Sequence, residues 1–135
     1  FVLTQKLTKF LAHDQNGRVM NISSMYGFLG PYMKLYDGTK MGNPAAYSVS
    51  KGGLIQLTKW LSTTLAPSIR VNVVSPGGIE RGQEKSFKEK YIERVPLKRL
   101  GNEEDLIGAI LFLGSDMSKY VTGQNIVVDG GYGII

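Results

Sequence analysis

The sequence has no cysteine, which excludes a disulfide framework and any thiolate metal site. It has no apolar run approaching the roughly 20 residues of a membrane-spanning helix, so no membrane partner is expected. Long runs of one charge are absent too. The 16 Lys+Arg and 11 Asp+Glu residues give a formal charge of +5, yet no basic run exceeds two residues. No basic stripe with interleaved aromatics occurs, so no nucleic-acid partner is expected either. The first residues, FVLTQKLTKFLAHDQNGR, lack the basic region, unbroken apolar segment and small-residue cleavage site of a secretory signal. A soluble, cytoplasmic protein is the expectation. Also missing is any G-x-G-x-x-G or T-G-x-x-x-G-x-G segment, the glycine-rich turn whose backbone amides hold a pyrophosphate.

What is present is an ordinary globular composition, 42% hydrophobic and 20% charged, in 135 residues read as a single segment, 1–135. Val2, Leu3, Leu7, Phe10 and Leu11 follow helical spacing, so residues 1 to about 14 should form an amphipathic helix. It starts without a capping sequence and without Met, and an N-terminal truncation is expected. Residues 18–23 are a strand candidate, and 26–43 hold too many glycines for a regular element. Asn43-Pro44 reads as a helix start, with Asn43 capping and Pro44 in the first helical position. The apolar face that follows predicts a helix over 45–66. The β-branched run 69–75 predicts a strand ended by Pro76-Gly77-Gly78, and 84–95 a helix cut off by Pro96. Asn102-Glu103-Glu104-Asp105 is a capping pattern for a helix ending near Gly114, and 125–129 reads as a last strand. Near-continuous apolar strands alternating with helices argue for a parallel α/β sheet.

Tyr47 and Lys51 lie four apart on the second helix, hence on one face. A phenol titrates near 10, so its use as a base near neutral pH requires stabilising the phenolate by about 4 kcal/mol. A cation about 4 Å away supplies on the order of 4 kcal/mol in partly solvated surroundings. Alone, the spacing is equally that of an exposed surface pair. Ser24 follows the preceding strand, at the sheet edge where open parallel sheets bind ligands, and is placed either to bond a substrate oxygen or to satisfy a turn. His13, near a helix end, reads as a partner of the helix dipole rather than as a ligand.

The ordered set Asn21-Ile22-Ser23-Ser24, Tyr47-Ser48-Val49-Ser50-Lys51, Arg70-Val71-Asn72, Ser75-Pro76-Gly77-Gly78 and Val128-Asp129-Gly130-Gly131 resembles the short-chain dehydrogenase/reductase family. Pro96-Leu97, Arg99 and Thr122-Gly123-Gln124 fit as well, so the resemblance spans nearly all of the chain. It implies the C-terminal half of a Rossmann-like doubly wound parallel sheet, about three strands with flanking helices, without the glycine-rich βαβ half. It also implies NAD or NADP as cofactor, Tyr47 as general acid/base, Lys51 lowering the tyrosine pKa and bonding the nicotinamide ribose, and Ser24 positioning the substrate oxygen. Pro76, Gly77 and Ile79 would line the nicotinamide pocket. Helices 1–14 and 45–66 correspond to the family's usual oligomer interface, implying a homodimer or homotetramer.

Three features depart from the family pattern. The glycine-rich turn and its acidic ribose ligand are missing, so the segment alone is expected to be inactive. The 23-residue interval from Ser24 to Tyr47 is longer than the family's, which makes 25–46 a candidate substrate-recognition insert or a surface elaboration. Glu80-Arg81 stands where many members offer the cofactor a Thr. Lys85, Lys88, Lys90 and Arg94 would suit a phosphate, although Glu84, Glu89 and Glu93 offset most of that charge. The expected activity of the complete chain is NAD(P)-dependent hydride transfer between nicotinamide and a secondary alcohol or ketone, on a small-molecule substrate such as a sugar or nucleotide sugar. The alternative is a non-catalytic fragment or oligomerisation module.

Overall fold

Three β-branched or apolar runs form the sheet in a computed structural model of the chain, which describes residues 1–13 and 16–135. Helix α1 (Val2–Leu11) leads to strand β1 (Gly17–Ile22), then helix α2 (Ala45–Leu65), strand β2 (Ile69–Pro76), helices α3 (Lys85–Arg94) and α4 (Glu104–Gly114), and strand β3 (Asn125–Val128). The end of the expected first helix, at residue 14, lies outside the described residues. All pairings are parallel in the order β1-β2-β3, with Val19 opposite Val71 and Val74 opposite Ile126. Among the described residues no helix is long and apolar enough to cross a membrane.

Side chains alternate across a strand, and that alternation sorts the helices onto two faces. Val19, Ile69 and Val71 point one way and pack with Leu11, Leu57, Leu61 and Leu65 of α1 and α2. Asn21, on the same face, donates from Nδ2 to Thr58 Oγ1 at 2.8 Å. Arg70, one residue out of phase, points to α4. Its guanidinium donates to the carbonyls of Leu113 (3.4 Å), Ser115 (3.3 Å) and Val121 (3.0 Å) and to the Ser118 hydroxyl (3.1 Å). These bonds satisfy carbonyls that the C-terminal end of a helix leaves unpaired. Asn72, buried, spends its amide on Val121 O and Gln124 N, fixing the loop that feeds β3.

Helix boundaries follow local chemistry. The α4 start is a reciprocal cap: Asp105 N donates to Asn102 Oδ1 at 3.1 Å, and Asn102 N to Asp105 Oδ2 at 2.8 Å. The α2 start departs from expectation. Pro44, extended at φ −69° and ψ 141°, is the N-cap, and Asn43 makes no capping bond. Because Pro44 is itself extended, the helix begins one residue later than expected, which leaves Asn43 one position too early to cap. The stretch 26–43 is not wholly irregular, since short 3₁₀ turns form at Met25–Gly27 and Met33–Tyr36. After β3, Gly130 and Gly131 take φ of 66° and 89°, a left-handed pair that glycine adopts without strain. The Asp129 carboxylate accepts from Gly131 N and Gly133 N at 2.9 and 2.7 Å to hold that turn.

Candidate functional site

Because the strands are parallel, their C-terminal ends share one edge, and Ser23-Ser24, Gly77 and Asp129 follow β1, β2 and β3 there. Helix α2 is fastened to this edge at Lys51. The Lys51 ammonium donates to the Ile22 carbonyl at 3.0 Å, and the Ser23 hydroxyl donates to the Lys51 carbonyl at 2.8 Å. Gly27 makes the close approach possible: a Cβ there would stand 2.9 Å from the Lys51 carbonyl carbon and oxygen and 2.8 Å from Ile55 Cδ1. The Lys51 ammonium also lies 5.7 Å from the centre of the Tyr47 ring, as the spacing of four requires. Tyr47 is 40% exposed, and its hydroxyl has no hydrogen-bond partner among the described residues. Ser24 is buried, and its Oγ accepts from Tyr26 N at 3.2 Å, so its own O–H remains available.

Ser24, Tyr47 and Lys51 thus gather where α2 crosses the end of β1. Pro76, Gly77 and Ile79 lie one strand over. Gly77 and Ile79 line a depression with Tyr91, Leu97, Asp105 and Asp129, whereas Tyr47 lines a second one with Tyr26, Tyr36, Gly42, Asn43 and Pro44. Ser24, Lys51 and Pro76 line neither. A Cβ at Gly77 would meet Asp129 Cα at 2.7 Å, and one at Gly78 would meet Tyr91 Cζ at 2.7 Å, so protein packing demands both glycines.

Tyr91 is 1% exposed and stacks between Phe87 (5.8 Å) and Tyr132 (4.9 Å). Its hydroxyl accepts from Gly78 N at 2.6 Å and reaches the Met25 sulfur at 3.7 Å, joining the loop after β2 to the turn after β1. Burial pushes the Tyr91 phenol up to about 12. Sequence reading passed over it because its partners are distant in the chain.

The long interval before Tyr47 is a packed wall. Leu35 is fully buried, Tyr36 packs on Phe87 at 5.6 Å, and Lys90 donates to the carbonyls of Lys34 (3.3 Å) and Asp37 (2.7 Å). The basic residues of α3 each make contacts of their own, and Lys90 and Arg94 share one depression with Lys34, Asp37 and Glu93. Lys85 pairs with Glu89 at 3.7 Å, Lys88 with Glu80 at 3.5 Å, and Arg94 stacks on Tyr32 at 4.2 Å. Glu80 and Arg81 are likewise engaged, Glu80 with Gly82 N at 2.9 Å and Arg81 with Glu103 at 2.6 Å.

Asn43, read as a helix cap, has both side-chain polar atoms buried with no hydrogen-bond partner among the described residues. Each such group costs about 1–3 kcal/mol when left unsatisfied. Next to it, the hydroxyls of Tyr26 and Tyr36 share one hydrogen bond at 3.1 Å. Burial and the Tyr36 hydroxyl push the Tyr26 phenol well above its ordinary range, so it stays protonated.

Comparison with known proteins places this geometry. A family model described as Enoyl-(Acyl carrier protein) reductase matches residues 1–133. The chain is 40% identical to the post-translational flagellin modification protein A of Campylobacter coli, over 99% of this chain and 53% of that protein. It is 39% identical to the 3-oxoacyl-(acyl-carrier-protein) reductase FabG of Thermotoga maritima, over 97% of this chain and 51% of that protein. Among solved structures, a short chain dehydrogenase of Leptospira borgpetersenii with bound NAD+ superposes with a TM-score of 0.91 at 40% identity, over 98% of this chain and 51% of that one. A gluconate 5-dehydrogenase of Burkholderia cenocepacia in complex with NADP and tartrate gives 0.86 at 27% identity, over 98% and 51%. The chain spans about half the length of these relatives, and its three strands correspond to the C-terminal half of their Rossmann-like sheet.

Proposed function

The chain belongs to the short-chain dehydrogenase/reductase family, and from that premise we propose that it forms the substrate-side wall of an NAD(P)-dependent oxidoreductase interconverting a secondary alcohol and a ketone. The observation that carries the proposal is the Lys51 clasp: one bond to Ile22 O holds the ammonium beside Tyr47, and its other hydrogens stay free for a ligand. A ribose diol offers acceptors suited to that ammonium and to the unpartnered Tyr47 hydroxyl, so the donor set fits a nicotinamide nucleoside. Gly77 and Ile79, with Pro76 before them, form the neighbouring surface.

A nicotinamide cofactor, when bound, supplies the hydride acceptor for oxidation or the donor for reduction. The protein residues handle the proton. In oxidation, Tyr47 Oη takes the proton of the substrate hydroxyl while hydride leaves the carbinol carbon. Lys51 stabilises the phenolate form by its charge, and the Ser24 O–H donates to the substrate oxygen as its charge changes. In reduction, Tyr47 returns the proton.

We assign a small, hydroxylated, sugar-like substrate, on the support of the polar wall of Tyr26, Tyr36 and Asn43 beside Tyr47. A homodimer or homotetramer is proposed from the apolar faces of α1 and α2. They leave Phe1, Leu3, Phe10, Val49 and Trp60 more than half exposed, and no residue of α1 is buried. The complete polypeptide carrying this segment, given NAD+ or NADP+ and a panel of sugar alcohols, aldonates and 3-hydroxyacyl thioesters, should generate the reduced-nicotinamide absorbance with at least one alcohol. Silence across the panel with both cofactors would contradict the assignment.

A further inference from the structure

We propose that Asn43 is a specificity-determining residue that binds a hydroxyl group on the substrate next to the reacting carbon. The inference rests on the functional reading above and deepens it. An amide carries both donors and acceptors, and Asn43 has both its Nδ2 and Oδ1 buried and unpaired among the described residues. It shares its depression with Tyr47, Tyr26 and Tyr36. Position in the fold gives it no other task, because Pro44 has taken the capping position and Asn43 makes no capping bond.

The ligand that repairs an orphaned amide must both give and accept a hydrogen bond at one point. A hydroxyl does this, whereas a methylene does neither. The neighbouring tyrosines extend the match. Their two hydroxyls are joined by one hydrogen bond, so whichever donates, one O–H of the pair is left without a protein acceptor. Three polar residues therefore line one depression with Tyr47, beside Gly42 and Pro44. Such a wall favours a vicinal diol or hydroxyketone over an acyl chain, since an acyl methylene would leave the Asn43 amide and the remaining tyrosine O–H unsatisfied.

The test uses the complete polypeptide with trans-cyclohexane-1,2-diol and cyclohexanol as probes, each with NAD+ and NADP+. Oxidation of the diol transfers hydride from one carbinol carbon to the nicotinamide and one proton to solvent, leaving 2-hydroxycyclohexanone. The wild type is expected to favour the diol in kcat/KM by roughly 10- to 100-fold, and Asn43→Leu to reduce that ratio to within a few-fold. Asn43→Asp, isosteric and still an acceptor, keeps part of the preference and guards against a Leu variant that does not fold. A ratio unchanged in Asn43→Leu, or near one in the wild type, overturns the proposal while leaving the oxidoreductase reading intact. Binding is read separately from turnover: the side-chain amide signal missing from Asn43→Asp should shift when the diol is added and stay still with cyclohexanol. A shift without turnover sinks the oxidoreductase reading and keeps the hydroxyl site. No shift with the diol sinks the hydroxyl site.

Discussion

Lys51 does two jobs with one ammonium group. It pins α2 to the end of β1 through Ile22 O, and it sets a positive charge 5.7 Å from the Tyr47 ring centre. Lys51→Met removes both. In the complete polypeptide kcat/KM should fall by on the order of 10² to 10⁴. A fall in thermal stability that accounts for the whole loss of rate would reduce Lys51 to a structural clasp. Tyr91 makes a different prediction. Its phenol titrates near 10 when unfolded and near 12 when folded, so the folded state holds the proton more tightly. The stabilisation is complete below pH about 10 and is lost as pH rises through about 12. Alkaline unfolding followed by circular dichroism should show that decline, and Tyr91→Phe should make it shallower, with Tyr26 supplying the remainder. The sequence made Tyr47 and Lys51 legible because their relation is local. It hid Tyr91 and Asn43 because the contacts that define them are set by tertiary structure, Tyr91 meeting Met25 across 66 positions.

At the scale of elements, the strands and helices were readable because each run carries its own period and its own terminators. The seven regular elements fall in the expected order, with boundaries shifted by only a few residues. The α4 cap was legible for the same reason, and it gives a stability prediction. Asn102→Ala should cost about 1 kcal/mol, read from the denaturation midpoint. What local patterns did not show is why 25–46 is ordered. Its glycines read as a loop, yet Leu35 is fully buried and Lys90 spends its ammonium on two carbonyls of the segment. That order comes from α3, which lies much later in the chain. Gly27 couples this segment to Lys51. Gly27→Ala puts a methyl against the Lys51 backbone, and its penalty should appear as a larger fall in kcat than in thermal stability. Proportional losses in both would count against the coupling.

For the whole molecule, the exposed apolar side chains of α1 and α2 are the basis of the proposed self-association. Trp60, 52% exposed and in edge contact with Phe1 at 6.0 Å, is one of them. Trp60→Glu should shift the mass seen by light scattering toward the monomer. The motif order let the family be read from sequence, because five short patterns in one sequence are far more specific than any alone. The unpartnered amide of Asn43 in the depression beside Tyr47 was not readable, since tertiary structure sets it. The account stands or falls on that tyrosine. Steady-state turnover and cofactor binding of Tyr47→Phe, measured together in the complete polypeptide, test it most directly. The account predicts that turnover is nearly abolished while cofactor binding persists. Turnover at the wild-type rate would contradict it.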